Sequence, residues 1–305
     1  MSCCDNRVLV TGATGLIGRE MLTPLLHAGF DVHAVSRSAP NATAGCTWHQ
    51  GSLFDESYVE RIIRDVKPSH LLNLAWCTTG DYLTSDLNYA FLTAGKCLSR
   101  CFAENGGRRA VYAGTCFEYK FDDAPLREDG ELDVEKNPYT KCKDSLRRYA
   151  ERLFSASGVS FAYGRIFYVY GRGEANTRLT GMVVDRLSRG VPVEIKAGPL
   201  RKDYVYTKDI AEAFVALLRS EVNGPVNICT AQAVRIRDFV TMIADRMGRP
   251  DLVSFADNCT GQPPIIVGDN ARLVQEVGYR PHWTLGAAID DMVSSAESLC
   301  ASQDA

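Results

Sequence analysis

The 305-residue sequence lacks the hydrophobic segments that mark exported and membrane-spanning proteins. No apolar run reaches the roughly 20 residues that a membrane-spanning helix needs, and the start, MSCCDNRVLVTG, contains no apolar stretch of signal-peptide length. The sequence also lacks a dominant charge, because 34 Lys and Arg residues stand against 37 Asp and Glu residues, for a net charge of −3. We therefore expect a cytoplasmic protein with neither a membrane nor a nucleic acid as partner.

Metal-binding motifs are lacking as well. The 11 cysteines form no C-x-x-C pair, and Cys97 and Cys101, one helical turn apart, have no histidine or second pair of cysteines nearby. No histidine occurs between His70 and His282. We expect no metal site, and we interpret the cysteines as buried free thiols in a reducing compartment.

The sequence does contain a regular alternation of short apolar runs and helical patterns. We predict strands at 7–11, 31–35, 70–75, 109–114 and 159–171. We predict helices at 15–27, 56–66, about 83–104 and 139–157. Buried strands separated by helices indicate an α/β fold, a Rossmann-type doubly wound parallel sheet covered by helices on both faces.

A smaller lobe is expected to follow this sheet. Beyond Gly171 the alternation weakens and glycine and proline become frequent, and a chain of this length is long for a single core. We therefore predict a dinucleotide-binding Rossmann domain and a smaller C-terminal substrate-binding lobe. The first spans 1–170 with about 204–232, and the second spans 171–203 and 233–305.

The first predicted strand leads directly into VTGATGLIG, in which Gly12, Gly15 and Gly18 have the spacing G-x-x-G-x-x-G. Glycine permits a tight turn, and it allows backbone N–H groups to approach a pyrophosphate at the positive N-terminus of the next helix. The pattern predicts a nucleotide-binding loop, with an ordinary glycine turn as the alternative.

The end of the second predicted strand bears on the choice of cofactor. Ser36, Arg37 and Ser38 occupy the place where NAD-preferring folds have an acidic residue for the ribose 2′-hydroxyl. Arg37 can pair with a 2′-phosphate that an acid would repel. The stretch favours NADP(H), and NAD bound beside a solvent-facing Arg37 is the alternative.

Two tyrosine–lysine pairs share a four-residue spacing, Tyr139 with Lys143 and Tyr204 with Lys208. A helix places residues four apart on one face, one turn from each other, and Pro138 marks a helix start. The stretch DYVYT around Tyr204 alternates as a strand does, and in a strand residues four apart are about 13 Å from each other. We therefore predict that Tyr139 and Lys143 are the catalytic pair.

Together these features resemble the extended branch of the short-chain dehydrogenase/reductase superfamily, which contains nucleotide-sugar epimerases, dehydratases and reductases. The resemblance covers nearly the whole chain. Besides the glycine loop it rests on LLNLAW (71–76), NYAFLT (88–93), YAGTCFEY (112–119), PYTKCK (138–143), GRIFYVYG (164–171) and RKDYVYTKDIA (201–211).

The resemblance implies a catalytic trio of Thr115, Tyr139 and Lys143, and a homodimer formed through the helices at 83–104 and 139–157. The cofactor-binding residues that it implies are Gly12, Thr14, Gly15, Leu16, Ile17, Gly18, Ser36, Arg37, Ser38, Leu53, Leu74, Ala75, Trp76, Asn88, Tyr139, Lys143, Phe167 and Val169. The substrate implied is a nucleotide-diphosphate sugar, and the residues implied to bind it are Thr115, Cys116, Phe117, Tyr168, Arg178, Arg201 and Lys202.

The expected chemistry of the trio is proton exchange with a sugar oxygen. A tyrosine ionises near pH 10 in isolation, and an adjacent lysine ammonium, together with an oxidised nicotinamide, favours the phenolate. Tyr139 would then take or give a proton as a hydride moves. Thr115 would hydrogen-bond the same oxygen and hold it in line.

Departures from the superfamily's motifs narrow the expected reaction. Its dehydratases carry an Asp-Glu pair directly after the catalytic Thr, whereas Cys116 and Phe117 stand here and Glu118 comes one residue late. Its reductases that also epimerise C3 and C5 use a Cys/His pair, and this chain lacks histidine between residues 70 and 282. With NADP(H) favoured, we predict a reductase of the 4-keto group of a nucleotide-linked 6-deoxysugar. A C4 epimerase with tightly bound NAD and a non-catalytic NADP-binding regulator are the alternatives.

Overall fold

The computed structural model describes residues 6–38, 43–256 and 261–301, except for the side chains of 295–301. The described part of the chain therefore excludes the first five and the last four residues. It also excludes Cys259 and the side chain of Cys300. The expectations about the chain start and about those cysteines are not addressed by the structure.

The strands and helices follow one another as the alternation predicts. In chain order the strands are β1 (Arg7–Thr11), β2 (Asp31–Ser36), β3 (Cys46–Gln50), β4 (His70–Asn73), β5 (Arg109–Thr115), β6 (Ser160–Ile166), β7 (Tyr168–Tyr170), β8 (Val193–Ile195), β9 (Arg201–Tyr206), β10 (Gly224–Ile228), β11 (Ala233–Arg235), β12 (Val253–Phe255) and β13 (Ile265–Ile266). The helices are α1 (Gly18–His27), α2 (Glu56–Val66), α3 (Leu87–Glu104), α4 (Pro138–Ser157), α5 (Leu179–Ser188), α6 (Thr207–Arg219), α7 (Ile236–Arg246), α8 (Ala271–Gln275) and α9 (Leu285–Ala301).

The main sheet has seven parallel strands in the order β10-β6-β5-β4-β1-β2-β3. The strand order reverses between β1 and β4, and ligands of open α/β sheets bind outside the carboxyl ends of the strands at such a reversal. The predicted Rossmann-type doubly wound sheet is confirmed.

Helices cover both faces of this sheet, because successive residues of a strand point to opposite sides. In β1, Val8 and Val10 pack in a core with α1 and α6, whereas Leu9 packs in a second core with α2, α3 and α4. All three residues are fully buried. A continuous apolar strand is therefore what this position in the sheet requires.

A second group of strands stands apart from the main sheet. Strand β9 lies between β11 and β13, with β7 also pairing with β9, and β8 pairs with β12. Helices α5, α7 and α9 cover a third core, which includes Tyr170, Tyr204, Tyr206 and Phe239. Of the 204–232 segment, α6 and β10 return to the main sheet and its core, whereas β9 belongs to the smaller group. The exact division into two domains stays a prediction.

Some boundaries differ from the predicted ones for local reasons. Strand β3 was not predicted, because CTWHQ is a half-exposed edge strand without an apolar run. Helix α1 begins three residues later than predicted because the glycine loop forms a turn first, with the Gly15 N–H bonded to the Gly12 carbonyl. The predicted strand 159–171 is two strands that meet at Phe167. None of the helices in the described part of the chain is both long and apolar enough to span a membrane.

Candidate active site

A cleft of about 630 Å³ opens at the carboxyl ends of the central strands and is shared by the main sheet and the smaller group of strands. From the main-sheet side it is lined by Gly12, Gly15, Leu16, Ile17, Gly18, Leu74, Trp76, Thr115, Cys116, Phe117, Tyr139 and Lys143. From the C-terminal side it is lined by Phe167, Tyr168, Val169, Glu174, Arg178, Met182, Ile195, Lys202, Tyr204 and Ile236, among others. The cleft thus lies where the reversal of strand order predicts a ligand site.

The glycine loop has the shape of a phosphate cradle. Gly12 has φ +71°, and a Cβ there would lie 2.8 Å from the backbone N of Ala75. A Cβ at Gly18 would lie 2.1 Å from the Gly12 carbonyl oxygen. Only glycine fits these two places, and the loop ends at the N-terminus of α1, where backbone N–H groups and the helix dipole favour an anion. These residues fit the pyrophosphate of a dinucleotide.

The helix that carries Tyr139 and Lys143 begins where its sequence predicts. The Asn137 side chain accepts a hydrogen bond from the Thr140 N–H at 3.0 Å, and Pro138 occupies the first helical position. An Asn cap and a proline in the first turn are typical of helix starts. Tyr139 and Lys143 therefore lie one turn apart on the buried face of α4.

The three predicted catalytic residues are brought together at the cleft. Thr115 ends β5 near Tyr139, and its hydroxyl accepts a hydrogen bond from the Phe117 N–H at 3.2 Å. The Lys143 Nζ donates to the Ala113 carbonyl at 2.8 Å and lies 6.0 Å from the centre of the Tyr139 ring. All three side chains are almost completely buried, and all line the cleft. The arrangement places a proton donor, a second hydroxyl and an amine around one point.

Burial within the site shifts the pKa of Tyr139 and that of Lys143 in opposite directions. Burial, and then the neighbouring Tyr82, raise the pKa of Tyr139 well above its usual value, although the Thr115 side chain opposes this. Burial lowers the pKa of Lys143 to about 7. The protein's own groups favour the neutral phenol, so the expected phenolate depends on the charge of a bound oxidised nicotinamide and stays a prediction. Tyr139 is held as a neutral phenol, which is a proton donor.

Trp76 and Asn88 were both predicted to contact the cofactor, and the structure separates them. The indole Nε1 of Trp76 donates to the Asn88 Oδ1 at 2.7 Å, and the Lys143 Nζ lies 4.2 Å from the Trp76 ring. Trp76 lines the cleft, whereas Asn88 is buried behind it and also donates to the Tyr82 and Ser85 carbonyls. Asn88 thus orients Trp76, whose ring face supports the lysine ammonium.

Glu118 is buried away from the cleft. Its side chain is completely buried, one carboxylate oxygen accepts from the Tyr163 hydroxyl at 2.6 Å, and the other accepts from the Arg165 Nε at 3.0 Å. A buried carboxylate held in this way stabilises the fold as long as both partners are present. Glu118 is not available as an acid or base for water expulsion.

The second tyrosine–lysine pair is split between two elements. Tyr204 lies in β9 and lines the cleft. Lys208 was predicted to continue the strand, but β9 ends at Tyr206 and Lys208 lies in α6. Its Nζ is 3.0 Å from a carboxylate oxygen of Asp291 in α9. The two side chains therefore serve different parts of the molecule.

Two cationic side chains, those of Arg178 and Lys202, line the C-terminal side of the cleft. The Lys202 Nζ lies 5.4 Å from the Tyr168 ring, and burial lowers the pKa of Lys202 to about 8. The Arg178 guanidinium lies 5.5 Å from the Tyr82 ring and donates to the Thr78 carbonyl at 3.3 Å. Among the residues that the structure describes, no group of three His, Cys, Asp or Glu side chains could hold a metal ion. The polar chemistry of the cleft is that of hydroxyls, carboxylates and cations.

Several predicted site residues do not line the cleft. They are Thr14, Ser36, Arg37, Ser38, Leu53, Ala75, Asn88 and Arg201. Thr14, Arg37 and Ser38 are exposed, whereas Ser36 is buried at the end of β2. Arg201 precedes Lys202 in β9, and adjacent strand residues point to opposite sides, which explains why only the lysine lines the cleft.

Other cleft residues were not singled out from the sequence as site residues. They include Thr78, Tyr82, Glu174, Leu179, Glu194, Lys196, Tyr204 and Gln262. Most of these residues lie in loops and in the smaller group of strands. No spacing rule applies there that could have identified them.

Known proteins match this chain over most of its length. Residues 8–229 match the model of the NAD dependent epimerase/dehydratase family. A dTDP-4-dehydro-6-deoxyglucose reductase from Escherichia coli is 22% identical, and the match covers 97% of this chain and 99% of the reductase chain. A UDP-glucose 4-epimerase from Azospirillum brasilense is 26% identical, and the match covers 98% of this chain and 94% of the epimerase chain. The structure of a UDP-glucose 4-epimerase from Thermotoga maritima with UDP-glucose has a TM-score of 0.88 at 19% identity, covering 96% and 99% of the two chains.

Proposed function

The chain belongs to the NAD-dependent epimerase/dehydratase family, and we propose that it reduces the 4-keto group of a nucleotide-linked 6-deoxysugar with NADP(H). The observation that carries the proposal is the meeting of Thr115, Tyr139 and Lys143 in one cleft with the glycine loop. The same cleft holds Lys202, a cation suited to a diphosphate. A nucleotide cofactor, a reacting sugar and its phosphates can therefore share one site.

The proton chemistry is assigned to the residues of the trio. A bound nicotinamide cofactor supplies the hydride that reduces the carbonyl carbon. Tyr139, held as a neutral phenol, gives its proton to the carbonyl oxygen, and Thr115 hydrogen-bonds the same oxygen. Lys143, when protonated, stabilises the tyrosinate that remains. Burial of the trio supports these steps, because hydrogen bonds and charges act more strongly where water is excluded.

The preference for NADP(H) rests on the end of β2. Arg37 is exposed there, and none of the residues at 36–38 is acidic. An exposed guanidinium can pair with the 2′-phosphate, and NAD would leave it without a ligand partner. Titration of the protein with NADPH and NADH tests the preference. We expect the lower dissociation constant for NADPH, and an Arg37→Ala variant should lose most of the difference.

Two related reactions are disfavoured by particular residues. Glu118 is committed to Arg165, so the acid–base pair of a dehydratase is lacking. No histidine lines the described part of the cleft, and Cys116 therefore has no partner for epimerisation at C3 and C5. Because these residues disfavour dehydration and epimerisation at C3 and C5, carbonyl reduction is the better supported reaction.

The second candidate function is C4 epimerisation of a nucleotide sugar, which the similarity to the Azospirillum brasilense epimerase favours. A screen of nucleotide 4-keto-6-deoxysugars for NADPH oxidation separates the two candidates. A reductase consumes NADPH in proportion to the sugar reduced. Interconversion of two nucleotide sugars without net NADPH consumption would instead establish the epimerase, and binding of NADPH without turnover of any sugar would favour the non-catalytic regulator.

We also propose a homodimer in the cytoplasm. Helices α3 and α4 pack on each other, and in the first turn of α3 Leu87 and Tyr89 are 49% and 47% exposed. Two large exposed apolar side chains at one place are typical of an interface. The described cysteines are all free thiols, which agrees with a reducing compartment. Light scattering of the purified protein tests the dimer, and Leu87→Glu should yield a monomer.

A further inference from the structure

Two buried polar atoms in the cleft have no hydrogen-bond partner among the residues that the structure describes. They are Oε2 of Glu174 and the phenolic oxygen of Tyr204. Both residues line the cleft, and neither has a role in the reaction proposed above. Buried polar atoms of native proteins are almost always paired, so an unpaired one calls for a ligand, a water or a functional reason.

Glu174 is buried beside a single cation. It lies in the loop between β7 and α5, and its side chain is only 3% exposed. The Arg178 guanidinium lies 3.9 Å from Oε1. Burial raises the pKa of Glu174 to about 7, and Arg178, Thr180 and Gly181 oppose this rise. Because no described residue bonds Oε2, this oxygen is a buried acceptor to which a ligand can donate.

Tyr204 lines the same cleft as Glu174 and is fixed there by its ring. The ring stacks on Phe239 at 4.0 Å with an interplanar angle of 16° and meets Tyr168 edge-on at 6.2 Å. Burial and the nearby Glu174 charge both raise the pKa of Tyr204, so the hydroxyl keeps its proton. Tyr204 thus offers the cleft a hydroxyl that can donate or accept a hydrogen bond.

The surroundings of the pair restrict the group that can bind there. A carboxylate repels phosphate, and the diphosphate has its own cations in Arg178 and Lys202. Nearby, Met182, Ile195 and Ile236 give the cleft apolar walls. Ligand sites of this kind take an uncharged body and fix it with a few polar atoms. The complementary group is a hydroxyl or an amino group, since each brings an N–H or O–H donor for Oε2.

We propose that Glu174 and Tyr204 bind a hydrogen-bond donor of the nucleotide sugar, a hydroxyl or amino group on its sugar or its base, and thereby select the substrate. This inference rests on the proposed function. It assigns Tyr204 a role in specificity and not in proton transfer, although Tyr204 and Tyr139 have the same spacing to a lysine.

The test measures binding and not turnover. Dissociation constants are determined by calorimetry for UDP, dTDP, CDP and GDP, and for UDP-glucose, dTDP-glucose and GDP-mannose. The variants are Glu174→Gln, which keeps the size of the side chain, and Tyr204→Phe, with Glu194→Gln as the matched control. Glu194 lines the same cleft but is exposed. NADPH binding of each variant serves as the check of folding.

For the probe that binds the wild type best, we expect about 10- to 100-fold weaker binding in Glu174→Gln, because a hydrogen bond to a buried charge is lost. Tyr204→Phe should weaken binding by about 3- to 10-fold, and the control by less than about 2-fold. A loss that is seen already with the nucleoside diphosphates locates the donor on the base. A loss confined to the nucleotide sugars locates it on the sugar.

Binding of every probe by Glu174→Gln and Tyr204→Phe as tightly as by the wild type would overturn the inference and leave the proposed function standing. If the wild type binds NADPH but none of the nucleotides or nucleotide sugars, the proposed function itself fails. The two failures are therefore distinguishable in one set of titrations.

Discussion

The two tyrosine–lysine pairs have the same spacing and opposite fates. Tyr139 and Lys143 lie on one turn of α4, are 6% and 5% exposed, and face one cleft. Tyr204 and Lys208 lie on either side of the junction between β9 and α6, so that the tyrosine faces the cleft and the lysine binds Asp291 in α9. A four-residue spacing brings side chains together only within one helix. The secondary structure around a motif, more than the motif, decides what it does.

The largest expected contrast is between the two tyrosines. Tyr139→Phe removes the proton donor, and we expect kcat for NADPH-dependent reduction to fall about 1,000-fold, within the range for loss of general acid catalysis. Tyr204→Phe removes only a binding hydroxyl, so kcat should be retained while KM rises about 3- to 10-fold. Steady-state kinetics of both variants check this, and NADPH binding should be normal in each. An active Tyr139→Phe variant would disprove the assigned acid.

The lysines give the second contrast. Lys143→Met removes the cation next to Tyr139 and should lower kcat by about 100-fold, since the tyrosinate loses its electrostatic support. Lys208→Met should leave kcat within about 2-fold and instead lower the free energy of unfolding by about 1 kcal/mol, because an ion pair to α9 is lost. Kinetics and urea denaturation of the two variants separate these effects. Equal losses of activity would contradict the division between the pairs.

The elements that the sequence predicts well are those whose residues repeat a simple physical pattern. The buried strands β1 and β5 have apolar centres between a polar first and last residue, and α4 begins with an Asn cap and a proline. Close backbone contacts require glycine at positions 12 and 18, and the sequence alone shows the spacing of these glycines. These features predict the position of Thr115, Tyr139 and Lys143, which the structure places in one cleft with the glycine loop.

The features that escaped prediction depend on contacts between distant parts of the chain. Glu174 lies in a loop without a motif, and its burial is set by α5 and Arg178. Asn88 matched a family motif, yet its side chain orients Trp76 instead of lining the cleft. The sequence predicts a lowered pKa for Tyr139 from two charges, those of Lys143 and of an oxidised nicotinamide, whereas burial within the site raises it. Such effects cannot be read from spacing.

The partner of Lys208 offers a test of the structural role of the second pair. Asp291 accepts hydrogen bonds from Tyr206, Lys208 and Arg172, and these bonds outweigh burial and lower its pKa. Asp291→Ala should lower the free energy of unfolding by about 2 kcal/mol, because three donors lose their acceptor. Asp290→Ala, next to it and 52% exposed, is the control and should cost less than about 0.5 kcal/mol. Urea denaturation measures both, and a loss of kcat in a folded Asp291→Ala variant would argue against a purely structural role.

The smallest expected effect is a pH dependence of stability that only the first pair produces. The pKa of Lys143 is about 7 in the folded protein and 10.5 as its ordinary value. Between these values the unfolded chain binds a proton that the folded protein has released, so this group makes the protein more stable as the pH rises; below about pH 7 both states are protonated and the contribution is constant. From pH 7 to pH 8 the gain amounts to about 1 kcal/mol.

This gain should vanish in Lys143→Met and persist in Lys208→Met, because Lys208 is partly exposed and paired with Asp291. Urea denaturation of the wild type and both variants at pH 6, 7, 8 and 9 measures it. If the stability of Lys143→Met relative to the wild type does not change between pH 7 and pH 9, the lysine beside Tyr139 keeps its proton throughout. Lys143 would then support the tyrosinate as a permanent cation, and the two lysines would differ in position alone.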